Sequence, residues 1–199
     1  MPETPREQIL RAAQQLFLTK GYSATSMRDI AAAAGQRAVA GIYNHFANKE
    51  AIFEAMIHDR SPFPFVLAQI STIEADTAPE FIRIILTRLM PIVIERYEYI
   101  ELIQIDMREF QSAHVRALLT AEVIPKLFAI FAQLQSLPGL KPNEPIVLLR
   151  LIVSMVAGFA LTHKIGVPYL QMLSTDAWIE QYINLFLYGA AADHPEEGL

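Results

Sequence analysis

Apolar positions recur along this chain at helical rather than strand spacing. Ile9, Ala13, Leu16 and Phe17 stand at i, i+4, i+7 and i+8, a single stripe on a helix. Thr4 precedes that stripe at a capping position, Pro5 suits the first helical residue, and Glu7 completes a capping box. Lys20-Gly21 closes the helix with a residue that tolerates a left-handed turn. Ser26-Met27-Arg28-Asp29 forms a second capping box. The short stripe Met27, Ile30, Ala31, Ala34 follows and stops at Gly35. Val39, Ile42, Tyr43 and Phe46 predict a third short helix, and a fourth is expected to start near Asn48 and run through Phe53 and Ile57.

Two prolines within Asp59–Pro64 break the pattern. Helical spacing resumes over 79–110, 113–136, 144–165 and 175–190, with Pro91 and Pro125 expected to kink or divide their helices. No segment alternates as a strand does. The expected fold class is all-α, with residues 1–47 as one domain and 48–199 as a second, helical one. The apolar run Ile146–Leu161 is sixteen residues long, short of the roughly 20 that cross a bilayer, and so reads as a core or interface helix.

At 53% hydrophobic over 199 residues, the chain holds more apolar side chain than one monomer of this size usually hides. The lack of cysteine excludes a disulfide scaffold, a thiolate zinc site and a catalytic thiol. No basic run leads into an apolar core at the N-terminus, so a cytoplasmic location is expected. Charge divides unevenly. Residues 1–60 carry seven Lys/Arg against six Asp/Glu, whereas 61–199 carry nine against fifteen, so the two parts are not expected to share a partner type.

Three short helices, the second and third joined by a turn at Gly35-Gln36, have the arrangement of a helix-turn-helix. In that design the second helix braces the third, whose first residues face base edges while neighbouring groups meet phosphates. Gln36, Arg37, Ala38 and Ala40 occupy that exposed start, and Gln and Arg are able to pair bidentately with adenine and guanine. Tyr43, Asn44, His45 and Lys49 follow where the chain would pass a phosphate strand. The same residues have structural roles to fill. Ser26 and Asp29 cap a helix, and Phe46 belongs to the core.

Residues 9–53 resemble the DNA-binding domain of the TetR family of transcriptional repressors. The resemblance runs through Ile9-Leu10, Ala12-Ala13, Leu16-Phe17, Gly21-Tyr22, Thr25 to Ala31, Ala34-Gly35, then Tyr43, His45-Phe46 and Lys49-Glu50. The step from Gly35 to Phe46 is one residue longer than the common family spacing. The resemblance implies a homodimer on a near-palindromic operator, released when a small molecule enters the C-terminal domain. By family position, Thr25 or Ser26, Tyr43 and Lys49 would meet phosphates, and Gln36 and Arg37 would lie nearest the bases.

An effector pocket needs apolar and aromatic walls with a few polar groups. The candidates are Phe63, Arg83, Met90, Gln104, Met107, His114, Phe128, Phe159 and His163. Helices 144–165 and 175–190 are apolar on more than one face and are expected to form a homodimer interface. Most of the acids Glu95, Glu98, Glu101, Asp106 and Glu109 read as a solvated helix face. No Glu-x-x-His pair, phosphate-cradling glycine loop or nucleophile elbow accompanies them. No catalytic residue, metal or cofactor is therefore expected. The rival reading is a helical scaffold or membrane-associated protein without DNA binding.

Overall fold

The structure, a computed structural model, describes residues 3–36, 38–139, 145–166, 168 and 172–189. Among them every regular element is helical. The chain forms two compact units that interleave along the sequence: residues 1–64 with 96–126, and 65–95 with 127–199.

In the first unit, α1 (Pro5–Thr19) starts as its capping box dictates, with Thr4 Oγ1 accepting from the Glu7 N–H and the Glu7 carboxylate accepting from the Thr4 N–H. α2 (Met27–Ala33) is capped in the same way by Ser26 and Asp29. It ends in paired bonds from Gly35 N–H to Ala32 O and Gln36 N–H to Ala31 O, with Gly35 at φ +68°. That left-handed turn satisfies the last carbonyls of α2 and aims the chain into α3. α3 is shorter than expected, Ala40–Tyr43, although the Phe46 N–H still reaches Ile42 O at 2.9 Å. α4 (Lys49–Asp59) follows the Asn48 cap. Ile9, Ala13, Phe17, Ile30, Ile42, Ile52 and Phe53 pack here with 1% exposure or less.

α7 (Tyr97–Phe110) completes this unit, and the Tyr99 hydroxyl donates to the Ile57 carbonyl at 3.0 Å. The corner into α8 (Ala113–Leu118) places Gln111 and Ser112 at φ +53° and +63°, a costly conformation for side chains with a Cβ. Asp106 holds that corner. Its carboxylate accepts the Val115 N–H at 2.9 Å and lies 2.7 Å from His114 Nδ1, and its carbonyl accepts the Ser112 N–H. Asp106 is wholly buried, which corrects its reading as part of a solvated acidic face. Acid-to-acid spacing alone could not separate it from Glu101, because what buries it is a turn five residues further on.

The second unit opens within a helix that the sequence pattern does not predict and that starts two residues before the unit does. α5 (Phe63–Ile70) accommodates Pro64 in its first turn, where the missing N–H costs nothing. α6 (Ala78–Glu95) runs through Pro91, so the 79–110 pattern divides at Arg96 rather than at its proline. Over 113–136 the backbone loosens into a π turn, Leu119–Val123, immediately before α9 (Ile124–Ser136) takes up Pro125. The wider turn relieves the contact a proline ring makes with the carbonyl four residues back. α10 (Pro145–Ile165) and α11 (Thr175–Tyr188) pack on α6 through Leu148, Ile152, Val156, Phe159, Ile179 and Ile183. Residues 144 and 190, the outer limits expected for these two helices, lie outside the described residues. Arg83 ties α6 to α11 by bonds of 2.6 Å to Glu180 and 2.8 Å to Asn184.

α10 continues past His163-Lys164, so its apolar stretch Ile146–Ile165 reaches 20 residues, and Ala113–Ser136 spans 24. By length and composition both are able to cross a bilayer, a wider allowance than the sixteen-residue run suggested.

Candidate nucleic-acid interface

The segment from Ser26 to Asn48 is presented by a core that does not involve its outer face. Ile30, Ile42 and Phe46 point into the first unit, and Ala38, Ala40, Tyr43, Asn44 and His45 are exposed. Tyr43 is 56% exposed, so its ring does not extend the apolar stripe. Gln36 is half-buried, and its Oε1 lies where a side chain at position 41 would begin, 2.7 Å from an idealised Cβ on Gly41. Gly41 therefore gives the Gln36 amide room to fold over α3. Arg37 lies outside the described residues.

Ser26 is exposed, with its hydroxyl committed to the α2 cap. Lys20 joins the same group, donating to Asp29 at 2.8 Å. Lys20, followed by the Ser26 contacts, holds the Asp29 carboxyl well below the usual carboxylate range. Thr25 and Lys49 are placed inward. Thr25 is 2% exposed and its hydroxyl donates to Gly21 O at 2.8 Å. Lys49 Nζ donates to the carbonyls of Tyr22 and Thr25 at 2.7 and 2.8 Å and sits 4.1 Å from the centre of the Tyr22 ring. Burial lowers the Lys49 pKa, and burial beside Glu50 and Glu109 raises that of Tyr22 to about 12.

The sequence pattern assigns Arg28 only to a capping box. It is exposed in the first turn of α2, beside Ser26. A cation two residues after a cap, on a helix whose stripe faces the other way, marks it as a further candidate.

The nine effector candidates are dispersed. In the first unit, Gln104 and Met107 are exposed on α7, Phe63 is edge-on to Tyr99 at 5.9 Å, and His114 is bound to Asp106. In the second, Met90 is in the core, Arg83 is held by Glu180 and Asn184, and Phe128 is 66% exposed. Phe159 and His163 come together, their rings stacked at 5.9 Å along a small cleft of about 20 Å³ shared with Thr162, Trp178 and Tyr182. The indole Nε1 of Trp178 is buried there without a hydrogen-bond partner.

Residues 9–56 match the family model of bacterial regulatory proteins of the tetR family. Over 58 residues the chain is 36% identical to the HTH-type transcriptional repressor KstR2 of Mycolicibacterium smegmatis, a stretch covering 29% of this chain and 28% of that protein. Among solved structures, a TetR family regulator from Marinobacter aquaeolei superposes with a TM-score of 0.71 at 23% identity, covering 90% of this chain and 92% of that one. PfmR of Thermus thermophilus gives 0.70 at 21% identity, with coverage of 92% and 99%. FadR of Bacillus subtilis, solved in complex with stearoyl-CoA, gives 0.69 at 18% identity, with coverage of 92% and 98%.

Proposed function

We propose that this chain, which carries a TetR-family DNA-binding segment within a TetR-like helical fold, is a cytoplasmic, ligand-responsive repressor that binds a near-palindromic operator as a homodimer. Residues 1–47 are the DNA-reading domain, and residues 48–199 are the effector-binding and dimerisation domain. The observation that carries this reading is the exposed segment on α2, turn and α3. Its backbone is fixed by two capped ends while its outward side chains stay open to solvent. Gln36, Arg37, Ala38 and Ala40 are nearest the bases, and Arg28, Tyr43, Asn44 and His45 lie along the phosphates. Dimerisation is supported by Ile146, Val147, Leu151, Val153, Leu185 and Tyr188, each at least half exposed on α10 and α11. Two copies would set their reading helices about 34 Å apart, one turn of duplex.

The effector is a small apolar or amphipathic molecule, in keeping with the aliphatic and aromatic interior of the second unit. The B. subtilis protein of similar fold was solved with stearoyl-CoA, which makes that compound the first probe to try.

The test is selection of duplexes from a random-sequence pool by the purified chain, followed by binding to the selected duplex at rising salt. Enrichment of a two-fold symmetric sequence, with affinity falling by about three decades or more between 50 and 200 mM salt, is expected for several phosphate contacts per site. Partition into liposomes with no duplex enrichment would instead establish the membrane-associated reading.

A further inference from the structure

We propose that Lys49 is a positioning residue for DNA reading rather than a phosphate contact. Its ammonium locks the loop before α2 to the first residue of α4. The inference rests on the DNA-binding role proposed above.

Lys49 opens α4, immediately after the Asn48 cap. The carbonyls it binds, Tyr22 and Thr25, lie just before the Ser26 cap of α2. One ammonium therefore closes both ends of the segment from Ser26 to Asn48, which contains α2, the Gly35 turn and α3. Closing a segment at its base removes much of the freedom with which its ends could splay. The socket is itself rigid. The Thr25 hydroxyl donates to Gly21 O at 2.8 Å, the Thr25 N–H donates to Tyr22 O at 3.1 Å, and the Tyr22 ring lies edge-on to Phe53 and Phe110.

Two of the three ammonium protons are spent on carbonyls, and the charge rests against the face of an aromatic ring. The Glu109 carboxylate acts on it electrostatically without a direct ion pair among the described residues. Reaching a phosphate would require Lys49 to give up charge-assisted bonds in a partly buried site, exchanging one set of ionic contacts for another.

The test compares Lys49→Met with the wild-type chain on two probes, the duplex selected by the wild type and a duplex of unrelated sequence. Loss of positioning weakens the selected duplex by about tenfold or more, as expected for losing hydrogen bonds to a charged group. It leaves the unrelated duplex unchanged, with the same slope of log affinity against log salt. A phosphate contact weakens both duplexes alike and makes the slope shallower by about 0.9, which would overturn the proposal. No effect on either duplex would also overturn it. Because Lys49→Met could fail to fold, the wild-type lysine Nζ resonance provides a second measurement. A slowly exchanging ammonium signal that persists unchanged when the selected duplex is added is expected, and a signal that moves onto phosphate would reject the clamp. If the wild-type chain selects no duplex, the DNA-binding role itself fails. That outcome is distinct from a wild type that selects a duplex and a Lys49→Met variant that reads it normally.

Discussion

The two units solve burial differently. The core of the first is closed by aromatic contacts: Phe17, Tyr22, Phe53, Phe110 and His114 form a chain of ring pairs with centroids 4.6 to 6.1 Å apart. Three of its inward polar side chains are also satisfied, Thr25 on Gly21, Lys49 on the loop carbonyls and Asp106 on the α8 backbone, while Arg60 Nε is buried without a partner. The second unit packs mainly aliphatic side chains around α6 and leaves large apolar ones at its surface. Apart from Tyr43, Met107 and Ile124, every exposed large hydrophobic among the described residues belongs to it. A unit with a complete interior can be shaped by what it presents, such as the α2–α3 segment. A unit with an uncovered apolar face is shaped by what must cover it.

The sharpest way to break this contrast is to empty the closed core. Phe53 is fully buried and touches three aromatic rings and His114. Phe53→Ala is expected to cost about 3–5 kcal/mol, most of the stability of a small domain, measured by denaturant unfolding with duplex binding lost in parallel. A cost under about 1 kcal/mol would show that the ring chain does not carry the unit.

The open face should respond in the opposite sense. Leu151 is 54% exposed on α10, so Leu151→Glu should change the stability of an isolated chain by no more than about 0.5 kcal/mol. At a subunit interface the same charge would be buried unpaired. Sedimentation at micromolar concentration is then expected to show dimers for the wild type and monomers for the variant, with operator affinity falling as well. Dimers in both samples would place the interface elsewhere.

How much of this is legible in the sequence depends on how local each cause is. Thr4, Ser26, Gly21 and Gly35 act within four residues, and both capped starts and the turn into α3 stand where their residues put them. Pro91 and Pro64 are weaker breakers than their pattern suggests, because helix length around Pro91 and first-turn placement of Pro64 absorb a missing N–H. Asp106 is misread from its spacing because its partners, Val115 and His114, meet it only across a left-handed corner that no spacing rule announces. The same applies to Lys49, whose carbonyl partners lie 24 and 27 residues away. The exposed reading segment can be located from its pattern, but the inward turn of Thr25 and Lys49 requires the tertiary contacts.

Asp106 therefore gives the next test, smaller than Phe53 but still inside the closed unit. Asp106→Ala removes the acceptor of the Val115 N–H and leaves both that group and the His114 ring nitrogen without it. A loss of about 2–3 kcal/mol is expected by thermal or denaturant unfolding, as for a buried hydrogen bond to a charged group. A near-neutral result would mean that Gln111 and Ser112 hold their left-handed backbone unaided.

The smallest effects lie at the α2 cap, where the closed unit meets its presented segment. Ser26→Ala removes a cap and is expected to cost about 1 kcal/mol. Asp29 adds a pH dependence whose sign follows from its environment. Lys20 and Ser26 depress its folded carboxyl below the unfolded value of about 3.9. The charged form is thus favoured by folding, its contribution is complete above about pH 4, and it fades as pH falls through the folded value. Asp29→Asn keeps a capping oxygen but loses the charge, so wild type and variant should differ in unfolding midpoint at neutral pH and converge in acid. High salt should shrink the neutral-pH gap, because Lys20 and Asp29 are both partly exposed. A gap that widened on acidification would mean that the charge, rather than the hydroxyl–amide geometry, opposes the cap, and the α2 start would then have to be held from the Lys49 side.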